Sequence, residues 1–371
     1  MQYKQKESDN KKQMSERKLS YDYIRVIACI CIIGIHATVY QETDIQGKTE
    51  MLNYILHSFS RIGLPVFFML SGALILNSKK EISVWKFYGS RFVKMILPFV
   101  LYSLFYILLK KAGWHITNIF AREVWEDIIT TVCEGIISIT QNYQTVQLWF
   151  MYSIIGLYIT APFLKIMLQN MTPKQLTELV AIIFGMRCLF SYFPQIAGYS
   201  LMISDYIFSG WVIYFILGYY VVQDFLKPYY RYIVLGGLLV FSISMYMAIN
   251  IESFRNNGHF DLAPHMMIQA VAFFIIFYGN EFVFKKYTKL NKIVSFISKY
   301  TFSMYMIQLC VLTEVNRLPI MNVSEANELV VGCLRILLVF VGSFIAAVVI
   351  DNIIIKPIQF ACNKVGKLLC K

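Results

Sequence analysis

The sequence predicts an all-α polytopic membrane bundle of about ten transmembrane helices. Three observations carry this. The 371 residues are 57% hydrophobic and only 15% charged, with a mean hydropathy of +0.56, whereas an ordinary soluble domain carries about 25% charged residues. Apolar runs of about 20 residues recur, the length that crosses a bilayer core. The basic residues cluster in alternate connecting segments, as membrane orientation demands. A transmembrane β-barrel would instead show short segments of alternating polarity.

Taken in order, the predicted spans are 23–41, 57–76, 92–110, 148–168, 177–193, 207–224, 230–250, 265–284, 293–312 and 329–355. Arg187 interrupts the fifth and Pro194 ends it. The stretch 124–140 is mildly apolar but holds Glu126, Asp127 and Glu134, and reads as an interfacial helix in a connecting loop. Residues 1–20 form a polar tail, 21–356 the transmembrane domain, and 357–371 a basic tail. With the N-terminus inside, 22 of the 34 Lys and Arg fall on the inner side and 7 on the outer, the other five lying within spans. That asymmetry places both termini in the cytoplasm, in a multi-pass cell-membrane protein.

The same distribution accounts for the net charge of +12 without nucleic acid, for which no reading motif is present. The eight cysteines include no Cys-x-x-Cys pair, and neither a zinc site nor a disulfide framework is indicated.

Polar groups at membrane depth are the informative ones, because they face a protein interior or a wet cavity and mark functional paths. In the first span these are Asp22, Arg25 and His36. Asp22 and Arg25 are three apart and can pair. Arg25 and His36 are eleven apart, three helical turns, so they share one stripe about 16 Å apart along the axis. Histidine is the natural proton acceptor near neutral pH. The second span opens on Arg61, followed by Gly63, Pro65 and the Ser71-Gly72 pair, a set that thins and breaks the helix and suits a cavity lining. Arg91, in Phe87-Tyr88-Gly89-Ser90-Arg91-Phe92, stands at the inner face, where its fork of donors suits a phosphate.

The pattern Asp22-x-x-Arg25 with an apolar run to His36, then Arg61-x-Gly63-x-Pro65-x-Phe67-Phe68-x-x-Ser71-Gly72, resembles the membrane acyltransferase type 3 family. Gln147-Leu148-Trp149-Phe150-Met151-Tyr152, Tyr214 to Tyr220 and Phe296 to Tyr305 add looser matches, so that the resemblance runs from about residue 20 to 355. It implies ten spans, a cytoplasmic acyl-CoA donor and an acceptor at or across the membrane. It places the active histidine on His36 and its partner arginine on Arg25, with Arg61 and Arg91 as further basic positions. Substrate-contacting positions then include Ser71, Gln147, Trp149 and Gln308. The family often has histidine where Gln147 and Gln308 stand here, and glutamine cannot take up a proton at neutral pH.

Two functions follow as expectations. In the first, the protein is an acetyl-CoA-dependent O-acetyltransferase acting on a surface polysaccharide or its lipid-linked precursor. His36, with Arg25 and Asp22, would carry the chemistry without a metal, and the partners would be the bilayer, acyl-CoA and a glycan or glycolipid acceptor. In the second, the same polar stripe lines a transport path, for serine or a sugar intermediate, without acyl transfer.

Overall fold

The computed structural model describes residues 18–38, 48–79, 83–198, 210–257, 261–284, 286–321 and 328–369. Most of the polar N-terminal tail and the ends of two expected spans, 39–41 and 207–209, therefore lie outside the described residues. Among the described residues every regular element is helical.

The helices used below are α1 (Leu19–Ala37), α2 (Lys48–Ser60), α3 (Gly63–Ile75), α4 (Val84–Arg91), α5 (Leu97–Lys111), α6 (Ile128–Gln141), α7 (Trp149–Gln169), α8 (Pro173–Ala197), α9 (Val212–Val221), α10 (Tyr230–Asn250), α11 (Pro264–Tyr278), α12 (Thr288–Ile297), α13 (Thr301–Asn316), α14 (Glu328–Ile350) and α15 (Lys356–Leu369). Their ends follow local chemistry. Thr172 and Gln175 close a reciprocal capping box at the start of α8, and Gly198 ends it at φ 75°. Pro264 opens α11, where its missing N–H would be unpaired in any case.

Among the described residues, seven helices or joined helices are long and apolar enough to cross a membrane: Leu19–Ala37, Met51–Ile75, Val84–Lys111, Val146–Gln169, Pro173–Pro194, Asp224–Asn250 and Leu329–Lys364. The count of about ten spans is not reached on length. The three other expected segments are α9, α11 and α13, of 10, 15 and 16 residues. Nearly every residue of α9 is buried, as are most of α11 and α13, so these three lie in the interior of the bundle. In the apolar windows of α1 and of Met51–Ile75, 67% and 72% of residues are buried, against 11–33% in the other five long segments. The bundle is therefore a core of α1, α2–α3, α9, α11 and α13 inside a ring of long, outward-apolar helices. The segment expected to lie at the interface is α6, whose 14 residues are too short to span.

The densest packing joins α3 to α9, α10 to α11, α13 to α14 and α1 to α3. Glycines permit the first. A Cβ on Gly72 would overlap the Phe215 carbonyl, and one on Gly218 would overlap the Met69 carbonyl. Each helix is thus notched to receive the other's backbone. Trp211 stacks on Phe68 at 4.7 Å beside this contact, and Phe150 meets the other side of Phe68 at 4.8 Å.

Candidate functional site

The sequence-predicted residues separate into three groups along the bundle. The end where α1 begins is called proximal here and the end where it finishes distal.

At the proximal end, Asp22 is 1% exposed. Its carboxylate accepts from Ser295 Oγ (2.8 Å) and Ser298 Oγ (2.9 Å), and pairs with Arg25 at 3.4 Å. These serines flank the junction of α12 and α13, so Asp22 ties α1 to that junction. Arg25 remains a quarter exposed. Arg91 sits between the rings of Phe87 and Tyr158, 5.2 Å from each centroid. It lines a cavity of about 670 Å³ with Ser78, Ser83, Lys165, Gln169 and Asn170. Two cations and several amide and hydroxyl groups make this cavity suitable for a phosphorylated ligand. On its other side, Arg91 borders an apolar groove of about 280 Å³ that includes Met95, Ile96 and Ile155.

In the middle of the bundle, Gln147 and Gln308 are each 1% exposed. Gln147 Nε2 donates to the Met306 carbonyl at 3.4 Å, and its own carbonyl accepts from Tyr305 Oη. Tyr106 Oη also donates to Met306, at 2.8 Å. Gln147 Oε1 and both amide atoms of Gln308 are buried without a hydrogen-bond partner, and such groups are uncommon in folded proteins. Trp149 is partly buried with its ring 5.1 Å from Trp211.

At the distal end lies a cluster of charged groups. Arg61 occupies the break between α2 and α3, and its Nε donates to Asp261 Oδ1 at 2.8 Å. Two further helices hold the same loop. Tyr214 of α9 donates to the Asp261 carbonyl, and Arg187 of α8 donates to the Leu262 carbonyl at 3.1 Å and to Ser191 Oγ at 3.3 Å. Burial pushes the Asp261 carboxyl above its ordinary value, against the opposing pull of the Arg61 guanidinium. His36 is half-buried in the last turn of α1. His57 of α2 stands one helical turn before Arg61, and its Nδ1 lies 2.8 Å from Thr38 Oγ1 at the end of α1. Arg335 of α14 donates to the Ala37 carbonyl at 2.8 Å, a favourable place for a cation at a helix C-terminus.

The structure thus brings the end of the His36 helix towards Arg61, and brings Gln147 to the Met306 turn of α13, two residues before Gln308. It does not bring Arg25 to His36, which occupy opposite ends of one unbroken helix. Ser71 lies about 15 Å along α3 from Arg61. His57, Asp261, Arg187 and Arg335 were not anticipated as site residues. His57 could have been found from its spacing of four to Arg61, which puts both on one face. Asp261 could not, because it sits in a loop 200 positions away.

The helical bundle carries ionisable groups at both ends of its buried first helix, as membrane helices do where they face a protein interior or a wet cavity. The family model for the acyltransferase domain matches residues 18–351, and the chain belongs to that family. It is 22% identical over 350 residues to a probable poly-beta-1,6-N-acetyl-D-glucosamine export protein of Staphylococcus aureus strain MRSA252, covering 88% of this chain and 91% of the relative. The protein of the same name from strain MSSA476 matches to the same extent. No solved structure matches the chain.

Proposed function

We propose that the protein is an integral-membrane O-acyltransferase that transfers acetyl groups from cytoplasmic acetyl-CoA to a hydroxyl of a cell-surface polysaccharide or its lipid-linked precursor. The observation that carries this reading is the placement of complementary groups along the core. A cavity lined by Arg91 and Lys165 lies at the end of α3, and α1 finishes at His36 against α2, which carries His57 one turn before the Arg61–Asp261 pair.

The donor's phosphates meet Arg91 and Lys165, with Arg25 on α1 as a further cation of the proximal end, and its pantetheine arm runs into the bundle towards the distal end. His36 takes the proton of the acceptor hydroxyl as its oxygen attacks the thioester carbonyl. The C–S bond breaks and CoA leaves as thiolate, which takes a proton from water while His36 returns its own proton to water. Arg61 stabilises the oxyanion of the tetrahedral intermediate. General-base assistance of this kind is worth about 10²–10⁴ in rate. The cytoplasmic placement of both termini, read from the basic residues, supports donor access at the proximal end.

Membranes given radiolabelled acetyl-CoA and the polysaccharide acceptor test this reading. Wild type should label the acceptor, and His36→Ala should lose about 10²-fold or more in turnover. Wild-type turnover in His36→Ala would remove the proposed base.

A second reading has its own support. The relatives are named as export proteins, and Gln147 and Gln308 stand where proton-carrying histidines are common in the family. On this reading the core conducts a glycan intermediate without acyl transfer. Translocation of a labelled glycan into vesicles lacking acetyl-CoA separates the two.

A further inference from the structure

The last two helices are longer than a bilayer needs. α14, the turn after it and α15 run on as one apolar helix, Leu329–Lys364, of 36 residues. At 1.5 Å per residue that is about 54 Å, against a hydrocarbon core of about 30 Å. A tilt of about 40° would still leave about 10 Å outside. The excess falls at the proximal end. Arg335 is held at the distal end by the Ala37 carbonyl, and residues 336–355 after it supply the length of one span. Lys356 comes next, so α15 emerges on the proximal side of the bundle.

α15 has the chemistry of an interfacial helix. It is strongly amphipathic, with Ile358, Ala361 and Cys362 at the three- and four-residue spacing of one face. Lys356, Phe360 and Lys364 recur at intervals of four and form a second stripe. All three are exposed, Phe360 by 72%. A phenyl ring left open between two lysines suits a helix lying among lipid headgroups. From Asn352 to Lys371 the sequence holds four lysines and no acid.

α4 presents the same chemistry beside it. Gln359 Nε2 donates to the Val93 carbonyl at 3.1 Å, which ties α15 to the π-helical turn Phe92–Ile96 between α4 and α5. Trp85 is 81% exposed and Phe92 53%, and Lys86 and Lys94 are exposed with them. Residues 84–96 also contain no acid. Two elements joined side chain to backbone therefore offer open aromatic rings and lysines, with no carboxylate of their own. Both continue membrane-spanning helices, so the layer they enter on leaving the hydrocarbon is the headgroup layer.

We infer that α15 and the α4 junction form a docking surface for anionic phospholipid in the leaflet on the proximal side. Lipid phosphates pair with Lys86, Lys94, Lys356 and Lys364, while Trp85, Phe92 and Phe360 sit at headgroup level. The inference goes beyond the acyl-transfer reading and does not depend on it.

The test places the full-length protein in nanodiscs of phosphatidylcholine with rising fractions of phosphatidylglycerol. Cys133, Cys333 and Cys370 are changed to serine. A bimane on the exposed Cys362 reports contact through quenching by doxyl-labelled phosphatidylcholine. Quenching should rise with the phosphatidylglycerol fraction and fall in high salt. Lys356→Gln and Lys364→Gln should each weaken the apparent lipid affinity about fivefold, the ratio equivalent to about 1 kcal/mol per lysine. Phe360→Ser should lower quenching in both lipids. Unchanged melting temperatures show that these surface variants stay folded. Equal quenching across all lipid mixtures, or unchanged affinity in the folded double lysine variant, overturns the inference. Protection of Cys362 in detergent that tracks a dimer assigns the surface to a second copy and overturns it as well.

Discussion

Arg61 and Asp261 are 200 residues apart in the chain and meet in a 2.8 Å ion pair at the distal end of the bundle. Both side chains are still 22–29% exposed, so the pair is worth less than a fully buried one. Asp261→Asn should change stability by no more than about 1 kcal/mol, yet lower acetyl transfer by releasing the guanidinium from its fixed direction. Thermal unfolding in detergent, set beside turnover, separates the two effects.

The same carboxyl gives a pH prediction. Its value in the fold is raised, first by burial and against the pull of Arg61. The folded state therefore binds the proton more tightly than the unfolded chain. The resulting stability is fully present below the ordinary carboxylate value and is lost as pH rises through the raised one. Relative to Asp261→Asn, whose side chain stays neutral, wild type should lose Tm as pH rises across that window. A constant difference across it would show that Asp261 does not titrate as placed.

Gly72→Ala and Gly218→Ala should each disrupt the α3–α9 contact, because the new Cβ meets a backbone carbonyl that no rotamer change can move. Overpacking of this kind costs about 1–3 kcal/mol. Gly89→Ala is the control. It lies within α4 with open space around it, and alanine there should stabilise by about 0.5–1 kcal/mol. Melting temperatures of the three variants check the order.

Asp22 has a structural duty that its place in the motif conceals. Asp22→Ala should remove the buried carboxylate that accepts from Ser295, Ser298 and Arg25, at about 3 kcal/mol. Loss of folded protein should accompany any loss of activity. A stable, monodisperse Asp22→Ala with no turnover would instead place Asp22 in the chemistry.

Arg91→Lys keeps the charge but not the planar fork or the fit between two aromatic rings. The KM for acetyl-CoA should rise about tenfold, equivalent to one charge-assisted hydrogen bond, with kcat nearly unchanged. Initial-rate kinetics at saturating acceptor measure this.

Composition and periodicity made the helical membrane class and most of the spans legible, because twenty apolar residues in a row have few other uses. They did not place α9, α11 and α13 in the interior of the bundle. Apolar content alone cannot tell a side chain facing lipid from one facing protein, and only packing separates the ring from the core. Local spacing was enough to pair Asp22 with Arg25 and to put His36 on the stripe of Arg25. It could not assemble the distal cluster, since Asp261, Arg187 and Arg335 reach it from separate parts of the chain. The two glutamines were found as substitutions for histidine, but their burial beside Met306 depends on α13 packing near the start of α7.

The reciprocal notches at Gly72 and Gly218 have a mechanical corollary. Arg61 stands two residues before α3, and Tyr214 stands four residues before Gly218 on α9, so the two side chains that grip Asp261 are mounted on helices clasped backbone to backbone. A tilt of either helix carries both jaws together. The hold of Arg61 and Tyr214 on that loop therefore moves as one unit, while Arg187 ties the same loop to the outer helix α8.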